Sequence, residues 1–213
     1  MVNPPASAPA MRAYYSPVGR IRMLGGDPAL DFANTLHWRD GALTDFIPDF
    51  RSLAEWSMPA GLMTEEEGSN VLALAKASAA AAKAVHAAAI ALRGVWRDRL
   101  AERTGIASGD RAGAKLRQLL ASALGDGGLA GGEDEALLRL PLMRVALAIT
   151  SLELIPVERR IGRCAADQCG GYFLDNSRSK PRRWCSMDSC GNRAKVRGYR
   201  DRFRAEEVTP GDA

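Results

Sequence analysis

Four cysteines stand in two pairs of identical spacing. Four residues separate Cys164 from Cys169 and four separate Cys185 from Cys190, with fifteen residues between the pairs. Two local thiol pairs joined by an insert of hairpin length can set four thiolates tetrahedrally around one ion. The metal that suits four sulfurs is Zn2+, expected here as one structural ion per chain. Two disulfides, buried free thiols and an iron–sulfur cluster are the rivals. Paired cysteines in a reducing cytoplasm, the compartment expected for this chain, favour a metal over disulfides, and neither common ferredoxin spacing is present.

The elements that would carry the thiols follow from the residues between them. Gly170-Gly171-Tyr172-Phe173-Leu174-Asp175 reads as a strand entered through a glycine turn, Asn176 to Pro181 as the turn, and Arg182-Arg183-Trp184-Cys185 as the returning strand. A helix is expected from about Met187 to about Arg204, with Cys190 in its first turn. Free amides there would favour the Cys190 thiolate, with those of Gly191 and Asn192 as further donors. A knuckle, a hairpin and a ligand-bearing helix make a treble-clef-like module. At about 45 residues its core is too small to fold alone, so the metal is physically needed. Trp184, beside Cys185, is expected to fill that small core.

Charge singles out the same segment. Residues 156–204 hold 13 Lys and Arg against 5 Asp and Glu, whereas the whole chain of 213 residues carries only +4. Four thiolates around one zinc would lower the local excess by two charges. On the expected helix, Arg193, Arg197, Arg200 and Arg204 recur at i, i+4, i+7 and i+11 and form one stripe. Val196, Tyr199 and Phe203 form an adjacent apolar stripe, expected to pack against the hairpin or the body. Lys195 and Arg202 lie on the far side, and Arg178, Lys180, Arg182 and Arg183 would extend the positive surface. The bland alternative is a solvated face partly paired to Asp175, Asp188 and Asp201. The excess of cations points instead to a polyanion, with double-stranded DNA the expected partner. So small a reader binds weakly alone, so a homodimer or a polymerase-associated partner is expected with it.

Phe173-Leu174-Asp175, Arg182-Arg183-Trp184-Cys185-Ser186-Met187 and Cys190-Gly191-Asn192-Arg193-Ala194-Lys195 resemble the CGNR zinc finger family. Further forward, Gly26-Asp27-Pro28-Ala29-Leu30-Asp31-Phe32-Ala33-Asn34-Thr35 and the helices after it resemble the ABATE domain that usually precedes that finger. The resemblance covers most of the chain from about Gly25 to Arg204. It implies a bacterial, stress-responsive transcription regulator that binds DNA through its C-terminal finger.

The fold expected is mostly α: a helical domain over 21–156, then the zinc module over 157–204, with a flexible arm over 1–20 and an acidic tail over 205–213. Asp27 and Pro28 open a short helix expected to reach about His37. Asp49 caps a second, stopped by Pro59. Thr64-Glu65-Glu66-Glu67 reads as a capping box opening an Ala-rich stretch to about Arg103, one helix or two with a break near Ser78. Further helices fit Asp110 to Leu124 and about Pro141 to Leu154, separated by a glycine-rich loop over 125–132, and Pro156 closes the body. No strand-type alternation appears before residue 160, so the body is expected to be almost wholly helical.

Catalytic chemistry is thin. The two histidines, His37 and His86, sit in no ligand-spaced cluster, and the glycine pairs lack a phosphate-loop context. Asp31, Asn34, His37 and Arg39 are a candidate polar site for a small-molecule effector, against the plainer reading of capping and loop bonds. The N-terminus has no signal-peptide pattern, and the apolar stretch from Val71 to Leu92 is broken by Lys76, Lys83 and His86, so no membrane span is expected. The reading is a DNA-binding transcription regulator, not an enzyme, whose helical domain senses a ligand or dimerises. The alternatives are a zinc-stabilised protein-interaction adaptor and an enzyme using the polar site near His37.

Overall fold

The computed structural model describes residues 13–16, 19–39, 42–125, 132–154, 160–177 and 181–207. Helices dominate: α1 (Pro28–Asn34), α2 (Phe50–Ser57), α3 (Glu65–Ala77), α4 (Ala79–Arg103), α5 (Arg111–Leu124), α6 (Glu133–Leu154) and α7 (Asn192–Glu207). The starts of α1, α2 and α3 follow the caps in the sequence. Asp27 accepts from the Ala29 amide at 2.9 Å and Asp49 from the Ser52 amide at 2.7 Å. At α3 the capping box is complete, because the Thr64 amide donates to Glu67 at 2.8 Å and the Glu67 amide to Thr64 at 3.1 Å. The Ala-rich stretch is two helices, broken at Ser78, whose φ and ψ of −125° and 53° are not helical. α6 begins at Glu133, a full two turns before the expected Pro141, which the helix carries in its interior between buried Leu138 and Leu142.

Two short hairpins correct the expectation of an almost wholly helical body. β1 (Ala13–Ser16) pairs antiparallel with β2 (Gly19–Arg22), and β3 (Leu36–Arg39) with β4 (Ala42–Asp45). Strands of four residues are too short to display an alternation, which hides them in the sequence. Burial of Tyr14 and Ile21 ties the first hairpin to the core, so the loose arm expected over 1–20 is ordered at 13–16 and 19–20. Residues 1–12 lie outside the described residues, as do Pro156 and most of the glycine-rich loop. α1 stops at Asn34 rather than near His37. Thr35 turns its hydroxyl onto the Phe32 carbonyl at 2.6 Å, and His37 enters β3 opposite Thr44.

α4 organises the body. Trp96, fully buried, donates its indole N–H to the Ala29 carbonyl at 2.8 Å. One turn earlier, buried Arg93 clamps Asp45 through two bonds, at 2.8 and 2.5 Å, and reaches the Thr35 hydroxyl at 3.0 Å. Four residues after Arg93, Arg97 donates to the Ala33 and Leu36 carbonyls at 2.6 and 2.9 Å. Arg97 thus satisfies carbonyls at the end of α1, and Arg93 holds the β3–β4 hairpin beside it through Asp45. Among the described residues no helix is long and apolar enough to cross a membrane.

The C-terminal module docks on this body through its own strand. β5 (Arg160–Arg163) pairs antiparallel with β6 (Tyr172–Asp175), and Tyr172 and Leu174 of β6 join the core of the body while Phe173 points to the cysteines. Gly162 lets the Phe173 ring lie across the hairpin, since a Cβ there would meet the ring at 2.6 Å. Asn34 of α1 binds Tyr172 on both sides, donating to its carbonyl and accepting from its amide, each at 2.8 Å. The Leu174 amide then donates to the Gly25 carbonyl at 2.7 Å. The hairpin expected between 172–175 and 182–185 is thus replaced by one between 160–163 and 172–175. The other edge of β6 is already taken by Asn34 and Gly25, and the returning segment is tied only through the Arg182 amide on the Asp175 carboxylate at 2.9 Å.

Candidate metal centre

Each cysteine arrives on a different local device. Cys164 and Cys169 bracket a knuckle at the tip of the β5–β6 hairpin, where the Cys164 amide donates to the Gly171 carbonyl at 2.8 Å and the Cys169 amide to the Ala166 carbonyl at 3.0 Å. Gly170, with φ of 62°, reverses the chain directly after Cys169, a conformation that favours glycine. Cys185 ends the segment after Asp175, which is tied to the knuckle by the Ala165 amide on the Arg183 carbonyl at 2.9 Å. Cys190 lies in a single π-helical turn, Met187–Gly191, that leads into α7.

All four thiols are buried, none is in a disulfide, and their sulfurs lie within 4.8 Å of one another. The Cys169–Cys185 and Cys185–Cys190 sulfur distances are 3.7 and 3.6 Å. A tetrahedron with Zn–S bonds of about 2.3 Å has edges of about 3.8 Å, so the four atoms fit one zinc ion and exceed any S–S bond. Four cysteine ligands leave no open position on the metal, so the ion supplies a cross-link and not catalysis. Phe173, Leu24, Ala166 and Trp184 pack around the sulfurs and keep water away, and Trp184 takes the place beside Cys185 expected of it.

The electrostatics show which sulfurs most readily become anions. Hydrogen bonds from Cys164, Cys169 and Cys185, and then from Arg193, hold the Cys190 thiol far below its ordinary value despite burial. Bonds from the Cys169 and Cys185 thiols lower Cys164 to about 6, helped by the Cys185 amide. Cys169 and Cys185 are pushed up by the same sharing. Four thiols without a cation cannot all ionise together, and a divalent ion removes that conflict.

The donor to Cys190 differs from the one expected. The Gly191 amide is spent on the Ser186 carbonyl at 3.0 Å and the Asn192 amide on the carbonyls of Met187 and Ser189. In their place the Arg193 guanidinium donates to the Cys190 sulfur at 3.2 Å. Residue 193 lies one helical turn beyond the last ligand, and that spacing is the signal that could have found it.

The cationic residues divide by environment. Arg193 serves Cys190, and Arg197 pairs with Asp167 of the knuckle, both partners being exposed. Arg182 is bound into the module, donating to the Cys185 carbonyl at 2.7 Å and lying 4.8 Å from the centre of the Phe173 ring. Arg183 is exposed over the Trp184 ring at 5.1 Å. Lys195, Arg200 and Arg202 are exposed on α7. Arg178, Lys180 and the Arg204 side chain lie outside the described residues. The apolar stripe corrects an expectation: Val196, Tyr199 and Phe203 are 51%, 56% and 49% exposed instead of packed, and α7 is tied to the knuckle through the Arg197–Asp167 pair.

Of the candidate effector residues, Asn34 and His37 line one cavity, and Asp31 is not among its lining residues. Asp31 is buried and accepts from the Gly25 amide at 2.7 Å. Asn34 is committed to Tyr172, His37 is half-buried near Gly171 of the knuckle, and the Arg39 side chain is not among those described. A Cβ on Gly171 would stand 3.6 Å from the His37 ring and 3.5 Å from the Cys169 sulfur, so this histidine borders the metal module.

Two family profiles match this chain. The CGNR zinc finger covers residues 160–203 and includes all four cysteines. The ABATE family, described as "Putative stress-induced transcription regulator", covers residues 26–167. No curated protein and no solved structure matches it significantly. With the first profile over the metal module and the second over two thirds of its length, the chain belongs to the ABATE family and carries a CGNR zinc finger.

Proposed function

We propose that this chain is a DNA-binding transcription regulator in which one structural zinc fixes α7 as the reading element and the helical body senses a ligand or dimerises. The observation that carries the reading is α7 itself, which presents Arg200 to solvent in line with exposed Arg193 and Arg197, with Lys195 and Arg202 exposed on its other face and Arg183 on the module. The Arg197–Asp167 pair is exposed on both sides, so it holds Arg197 weakly and a phosphate can replace Asp167. Arg193 is positioned through Cys190, so metal binding and the direction of the arginine stripe are linked. In this reading the zinc is structural and the chain is not an enzyme.

The test is duplex binding by the zinc-loaded full chain, followed by fluorescence anisotropy over a salt series. Four phosphate contacts predict a log–log slope of about −3.6. A slope near zero contradicts the reading.

A second reading is favoured by the uncovered stripe of Val196, Tyr199 and Phe203, whose last two rings stack at 4.8 Å. Such a stripe suits an adaptor that docks on another protein, or the seam of a homodimer. Sedimentation of the zinc-loaded chain decides the homodimer: a strict monomer at high concentration removes it.

A further inference from the structure

A cavity of about 340 Å³ lies where the first hairpin, the body and the metal module meet. Its lining comes from β2 (Arg20, Ile21 and Arg22), from α1 and β3 (Asn34, His37 and Trp38), and from the module (Gln168, Ser189, Cys190 and Arg193), with Leu24 and Phe46 among the rest. Arg20, Arg22 and Arg193 are among the residues that line this space, and no Asp or Glu among the described residues lines it. Ile21, Leu24, Trp38 and Phe46 supply the apolar part of the lining. The volume falls within the usual range of small-molecule sites, roughly 300–1,000 Å³, whose pattern is an apolar lining with a few convergent polar groups.

We propose that this cavity binds a small organic anion, with its carboxylate or phosphate against Arg20, Arg22 and Arg193 and a flat apolar body against Trp38 and Phe46. A phosphodiester backbone would leave the apolar lining unused, which separates this ligand from duplex DNA. The position makes it an effector site. Arg193 lines the cavity while donating to the Cys190 sulfur at 3.2 Å and opening the arginine stripe of α7. An anion seated there competes for that guanidinium and so acts on both the metal module and the reading helix. The proposal rests on the ligand-sensing part of the proposed function and is independent of whether α7 reads DNA.

The test uses the zinc-loaded full chain without DNA, titrated with benzoate, with its neutral isostere benzyl alcohol and with inorganic phosphate. Binding is followed by calorimetry and by the emission of Trp38, assigned through Trp38→Phe. Benzoate is expected to bind saturably and at least about 10-fold more tightly than benzyl alcohol, a difference of about 1.4 kcal/mol. Arg20→Gln, on an exposed strand position, is expected to weaken benzoate by about 10-fold with an unchanged melting temperature. Lys83→Gln, remote from the cavity, is expected to leave it unchanged. Equal affinity for benzoate and benzyl alcohol overturns the proposal, as does the absence of saturable benzoate binding. Binding of phosphate alone overturns the part given to the apolar lining. Quenching of Trp38 by a duplex with no response to benzoate assigns the cavity to the DNA backbone and also overturns it.

Discussion

At the scale of single residues, two side chains beyond the cysteines carry testable weight. Arg193 donates to the one sulfur that is most stabilised as an anion. Outer partners of metal ligands are typically worth about 10–100-fold in metal affinity. Arg193→Ala is therefore expected to keep one zinc per chain but to surrender it to a chelator at about 10-fold lower concentration, read by competition with a zinc dye. Asp31 is a separate matter. Burial raises its carboxyl to about 7 against the lowering by the Gly25 amide, while Asp27 adds a small rise. The native state then holds this proton more tightly than the unfolded chain does. Its contribution to stability is full below about pH 4 and is lost as the pH rises through about 7. Melting temperatures measured across that interval are expected to fall in the wild type and to flatten in Asp31→Asn. Parallel slopes would assign the proton to another group.

At the scale of elements, the join between α1 and β6 is the feature on which the module's placement depends. Asn34 satisfies both the amide and the carbonyl of Tyr172, and each buried group left unpaired costs about 1–3 kcal/mol. Asn34→Ala is expected to lower stability by about 2–4 kcal/mol in chemical denaturation while zinc stoichiometry is unchanged. Loss of zinc in that variant would mean that docking, and not the cysteines, holds the metal. The sequence made the helix starts legible because capping is local: Asp27, Asp49 and Thr64 each bind an amide two or three residues ahead. The four thiols were legible for a similar reason, since their spacing encodes a knuckle and a following turn. The join was not legible, because Asn34 and Tyr172 are 138 residues apart. Nor was β5, whose Arg-Ile-Gly-Arg holds a single apolar residue and gains its partner only across the knuckle.

At the scale of the whole molecule, the net positive charge is concentrated in the C-terminal segment of the sequence. The excess of 13 Lys and Arg over 5 Asp and Glu in residues 156–204 resides on a module held by one strand, one asparagine strap and four sulfurs. The stripe of Val196, Tyr199 and Phe203 reads as an anchor in the sequence because apolar helical residues are usually buried. In the structure it stays exposed, and α7 is tied to the knuckle through the Arg197–Asp167 pair instead. The same helix leaves Lys195, Arg200 and Arg202 open to a polyanion. Metal and reading surface are thus one mechanical unit, and every property proposed for α7 depends on the sulfur cluster holding its ion. Zinc and free-thiol quantitation on the purified full chain is the most direct measurement of that claim. The account predicts one zinc per chain, four thiols that react only after chelation, and loss of the metal in Cys185→Ser and Cys190→Ser. Metal-free protein with its sulfurs oxidised in pairs would contradict it.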